Sequence, residues 1–222
     1  MHFLRCVLAE WALVRPRLLR TRFGAWLALL GGALIWLGLR GADPLGVALN
    51  AGALGAVLSA AFAAGSAADR AAFAITLTHP TTPLAIACGR WLAAVLPTAT
   101  LVGACTIAAG GELSTGLAGI VAAGAVAGCA LAAVLVAGTG AALALFICMA
   151  LAGALPPEAI VGVVDPGVVR IAVASALELG PALWRYREVA SGSVDAVLHA
   201  AAWAALGVVL ASGVVRHRGR AQ

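Results

Sequence analysis

The chain alternates between long apolar stretches and short polar or charged ones. Apolar runs occupy residues 23–39, 45–66, 83–109, 115–136, 139–155 and 194–215. A helix needs about 20 such residues to cross the hydrocarbon of a bilayer. Arg40 and Asp43-Pro44 close the first run, and Asp69-Arg70 follows the second. Gly110-Gly111-Glu112 follows the third, and Pro156-Pro157-Glu158 ends the fifth. Only the uncharged Gly138-Thr139-Gly140 separates the fourth from the fifth. The pattern predicts an all-α polytopic membrane protein: a six-helix transmembrane bundle forming a single domain over 1–222.

Three segments break the apolar pattern. Residues 1–22 contain five Arg and no uninterrupted apolar core, so they predict an interfacial helix rather than a cleavable signal. Leu4, Leu8, Trp11, Leu18 and Leu19 can line its apolar side, with Arg5, Arg15, Arg17 and Arg20 on the other. Arg5, Trp11, Arg15 and Arg17 are the expected membrane-interface anchors. Residues 67–82 form a loop with a short amphipathic stretch up to Pro80. Residues 156–194 are too charged to span and too apolar for a free loop. They predict an outer amphipathic or re-entrant helical segment before the last span. Within it Trp184 and Tyr186, beside Arg185 and Arg187, are expected as interfacial anchors.

Composition agrees with lipid exposure. The chain is 63% hydrophobic and 10% charged, with mean hydropathy +1.05. Soluble domains carry roughly 45–50% apolar and about 25% charged residues. The net charge of +5 does not indicate nucleic-acid binding, because the charges sit at helix ends rather than in an aromatic-interleaved patch. Their distribution sets an orientation instead. All fourteen basic residues are Arg, and ten fall on one side of the predicted bundle against Glu10 and Asp69. The other side holds four Arg against seven acids. By the positive-inside rule both termini are expected in the cytoplasm, which requires an even number of crossings. The expected location is the inner (plasma) membrane.

Small residues dominate the spans, as in GAVAGCALAAVLVAGTGAALA, which suits close small-xxx-small helix packing. The five cysteines have no CxxC spacing and are expected as packing residues. Asp195 and His199, spaced i, i+4, are too few for a metal site, and Asp195 is expected to cap the last helix. No hydrolase, zinc-protease or nucleotide-binding motif occurs, and no acid lies mid-span to couple transport to an ion. The chain is therefore not expected to be an enzyme, and no metal or cofactor is expected in it. Any cargo movement would draw on ATP hydrolysis in another subunit.

Residues 68–90 carry a resemblance. Ala68-Asp69-Arg70 leads into an amphipathic stretch, then Leu77-Thr78-His79-Pro80, then Gly89-Arg90 opens the third span. With the basic N-terminal helix and the Arg216-His217-Arg218 tail, this layout resembles type-2 (exporter-class) ABC transporter permeases. The first helix is similar to the family's elbow helix, and 67–82 to its cytoplasmic coupling loop. A narrower resemblance, to the haem-exporter membrane subunit of cytochrome c maturation, rests on the Leu-x-x-Pro turn and Leu96-Pro97. The family implies a second permease copy or paralogue and a nucleotide-binding ATPase subunit that holds ATP and Mg. It also implies that Asp69, Arg70, Phe73, Leu77 and His79 dock that ATPase. Phe73 and Leu77, at i, i+4, would form an apolar ridge, and Asp69 would favour the helix dipole. The alternative is a non-transport assembly or anchoring subunit of a larger complex.

Overall fold

The computed structural model describes residues 2–20, 22–64, 81–138, 140, 144, 167–178 and 180–220. Every regular element among them is helical: α1 (His2–Arg20), α2 (Phe23–Leu39), α3 (Pro44–Ala63), α4 (Pro83–Ala108), α5 (Leu113–Ala137), α6 (Val168–Glu178), α7 (Leu183–Tyr186), a 3-10 turn over Arg187–Ser191, and α8 (Val194–Arg220). Four are long and apolar enough to cross a membrane: Pro44–Ala63, Pro83–Ala108, Leu113–Ala137 and Val194–His217. α2 is apolar but shorter, at 17 residues, near the lower limit for a crossing. The chain is thus an α-helical, multi-pass membrane protein. The expected fifth crossing at 139–155 lies outside the described residues, apart from Gly140 and Ala144.

The helix starts follow from local chemistry. Asp43 caps α3, accepting from Leu45 N at 3.2 Å and Gly46 N at 3.0 Å. Thr82 caps α4 by accepting from Ala85 N at 3.2 Å. Each cap is followed by a proline, whose missing N–H costs nothing in a first turn. α8 differs from expectation. Ser193 Oγ accepts from Ala196 N at 3.3 Å, while Asp195 pairs with Arg185. A serine just ahead of the first turn reaches the free N–H groups, whereas Asp195, already inside the helix, points its carboxylate outward.

α5 is the middle of the bundle, with α3 on one side, α8 on the other, and α4 against all three. These contacts are backbone-close because glycine or alanine stands at each crossing. A Cβ on Gly119 would lie 2.6 Å from Ala48 O, and one on Gly52 would strike Gly119 O. A Cβ on Gly128 would lie 2.7 Å from Ala204 O, and one on Gly207 would strike the Gly128 backbone. The small-residue pattern therefore reports packing, which in lipid substitutes for the missing hydrophobic drive between helices. Two polar contacts reinforce it. Ser59 and Thr98 share a buried hydrogen bond of 3.1 Å between α3 and α4. The Trp91 indole donates to Gly124 O at 2.9 Å between α4 and α5.

The segment before α8 enters the bundle. Leu183, Tyr186 and Val189 are buried, and Tyr186 is fully so. Tyr186 is therefore not an interfacial anchor. Gly180 and Pro181 share a cavity with Ala132 and Val136 of α5 and Leu210 of α8. Leu210 lies sixteen residues, about 24 Å, along α8. Arg187, by contrast, reaches Asp43 at the start of α3. Residues 180–193 thus run from beside that cavity to the end of the bundle where α3 begins.

Candidate functional site

The helices that flank residues 65–80 in the chain meet α1 in a three-helix junction. α1 lies against the first turns of α4, and Val7, Glu10 and Val14 are buried at 3%, 4% and 5% exposure. Spaced by three and four residues, they share one helix face. Of the residues expected on the apolar side, Leu4 and Leu8 are exposed, and Trp11 is half-buried against the core. The apolar side chains of an interfacial helix can face lipid, leaving a mixed face to dock on protein. Gly89 permits the approach, since a Cβ there would sit 2.7 Å from Glu10 Cβ and 2.8 Å from Val7 O.

Arg90 is the centre of the junction. Its Nε donates to Glu10 Oε1 at 3.0 Å, and its Nη1 donates to Ala64 O at 2.7 Å. Both side chains are 5% exposed. Ala64 is the C-terminal cap of α3, so its carbonyl is one that no helical N–H can satisfy. One guanidinium thereby joins α1, the end of α3 and the third turn of α4, and with them both flanks of residues 65–80. Burying a charge away from water is tolerated when paired and hydrogen-bonded in this way. Glu10 and Arg90 are eighty residues apart, and nothing in their local sequence signals the pairing.

Among the expected site residues, Asp69, Arg70, Phe73, Leu77 and His79 lie outside the described residues. Arg5 is exposed on α1. Arg15 and Arg17 belong to the same helix, and their side chains lie outside the description.

At the opposite end of the bundle, two ion pairs tie the segment before α8 to its neighbours: Arg187 to Asp43 at 2.8 Å, and Arg185 to Asp195. The Arg187 guanidinium beside Asp43 holds its carboxyl below the ordinary value of 3.8. Partial burial opposes this, and the bonds from Gly46 and Leu45 assist it. A depressed folded pKa gives stability that is present above the unfolded value and lost as pH falls through the folded one. The tether is expected to hold from neutrality down to the ordinary value of 3.8 and to be lost only as pH falls through the lower folded value, contributing about 1 kcal/mol or less because both groups are half exposed. Lower protection of the amides of residues 187–193, relative to their intrinsic exchange rates, at acid pH, reproduced at neutral pH by Asp43→Asn, checks this.

His199 is engaged by Trp203, whose Nε1 donates to its Nε2 at 3.2 Å, and its ring stands 5.8 Å from that of Tyr186. Asp195 points to Arg185 instead of sharing a ligand with it. Among the described residues, no three His, Cys, Asp or Glu side chains gather as a metal site.

No family model matches the chain, and no curated protein or solved structure does either. The functional reading therefore rests on the residues themselves.

Proposed function

We propose that the chain is the membrane-spanning permease subunit of an ATP-driven ABC exporter. In this reading it has six crossings, with both termini in the cytoplasm of the cell that houses it in its inner membrane. It pairs with a second permease copy or paralogue, and residues 69–80 dock a separate ATPase subunit. The observation that supports this most is the Arg90 junction. A docking loop transmits force only if its flanks are fixed to the helices it must move. Here the carbonyl at one flank and the helix at the other are bonded to the same buried guanidinium, which also holds α1. A push on residues 69–80 would tilt α3 and α4 together with the elbow-like helix instead of being absorbed by slack chain.

Phe73→Asp in the complex with its ATPase is expected to abolish transport while leaving ATP hydrolysis running uncoupled. The charge would remove the apolar ridge without touching the nucleotide site. Unchanged transport would refute the docking role.

A non-transport assembly subunit is the second reading. It is favoured by the scarcity of buried polar side chains: among the described residues these are Glu10, Ser59, Arg90, Thr98, Thr106 and Tyr186. They outline no polar path through one copy. Under that reading Phe73→Asp is silent.

A further inference from the structure

A groove of about 560 Å³ runs along the side of the bundle between α4, α5 and α8. Its floor is Gly124 and Ala125, where the Trp91 indole closes onto the α5 backbone. On α8 the lining extends from Val197 to Val209, twelve residues or about 18 Å. Ala201, Ala205 and Val209 are exposed, so the groove opens laterally, toward lipid. Its length is close to one leaflet of hydrocarbon, about 15 Å of the bilayer's roughly 30 Å.

One end of this apolar groove is positively charged. Arg216 follows Val209 by seven residues, two helical turns and about 10 Å, and therefore falls on the same face of α8. It is exposed, and among the described residues no carboxylate pairs with it. Leu84, in the first turn of α4, lines the groove at that end. The positive end of the α4 dipole opens there too. An apolar slot of acyl-chain length with a guanidinium and a helix N-terminus at one mouth is complementary to a single chemistry.

We propose that the groove holds one anionic phospholipid, with an acyl chain lying along α8 from Val209 toward Val197 and the phosphate meeting Arg216. This binding is independent of any ATPase partner. It would anchor α8, only 22% of whose apolar window is buried by the rest of the chain, to the bundle through α4 and α5.

Native mass spectrometry of the full chain, released from nanodiscs of equal parts phosphatidylglycerol and phosphatidylcholine, tests the proposal. The expected result is one retained lipid per chain, with phosphatidylglycerol preferred. Arg216→Gln should lower that preference about fivefold, since a basic residue near an anionic headgroup contributes about 1 kcal/mol. Ala205→Trp should fill the groove and abolish retention of either lipid. Its folding is checked by thermal unfolding in detergent, where phosphatidylglycerol should raise the midpoint of the original chain but not of this variant. Ala201→Leu, a smaller obstruction, should weaken retention in the same direction. Equal retention of the two lipids, indifference to Arg216→Gln, or full retention by Ala205→Trp would overturn the proposal. So would a dimer that closes the groove with no lipid in it.

Discussion

Replacing Arg90 by methionine is expected to cost about 3–5 kcal/mol of stability, because it leaves the Glu10 carboxylate buried without a partner. Glu10→Leu should cost a similar amount by stranding the guanidinium. The double variant is expected to be less damaging than either single one. Its two apolar side chains strand no charge, and what remains lost is chiefly the bond from Arg90 Nη1 to Ala64 O, about 1 kcal/mol. A double-mutant cycle by reversible unfolding in mixed micelles reads the coupling directly. Additive losses would mean that the two charges do not depend on each other. Limited proteolysis near residues 65–80 should also become faster in the single variants, since the guanidinium holds both flanks of that segment.

The second large effect is expected at the helix crossings. Gly207→Ala places a methyl against the Gly128 backbone, and Gly52→Ala places one against Gly119 O. Backbone cannot rotate out of the way as a side chain can, so the helices must separate along much of their length. A cost at or above the usual overpacking range of about 1–3 kcal/mol is expected for each. Gly103 and Gly213 are the controls, since nothing lies within 4 Å of a Cβ at either. Alanine there should be neutral, or stabilising by up to about 1 kcal/mol through helix propensity. Parallel thermal unfolding of the four variants separates glycine used for packing from glycine merely tolerated.

The parts of the fold legible in the sequence are those set by one-dimensional physics. The spans Pro44–Ala63, Pro83–Ala108, Leu113–Ala137 and Val194–His217 follow from uninterrupted apolar length, and the helix starts at Pro44 and Pro83 from their capping residues. Other features depend on three-dimensional neighbours. In α1 the sequence places the leucines on one apolar side of an interfacial helix and the arginines on the other, and does not say which face meets protein. In a membrane Leu4 and Leu8 can face lipid while Val7, Glu10 and Val14 face protein, so apolar periodicity does not say which side docks. The sequence places Arg90 where the third span opens; its burial depends on a glutamate eighty residues away. Tyr186 reads from the sequence as an interfacial anchor, because nothing local to LWRY reveals that its ring is buried in the bundle. The expected docking residues 69–80 and the crossing at 139–155 lie outside the described residues.

Coupling through residues 69–80 is tested most directly by photo-cross-linking in the complex assembled with its ATPase subunit. A photo-reactive side chain at position 73 is predicted to join covalently to the nucleotide-binding subunit, with a yield that changes between nucleotide-free and ATP-bound states. A stable, active complex in which position 73 never reaches the ATPase, while a probe at position 217 on the C-terminal helix does, would contradict it.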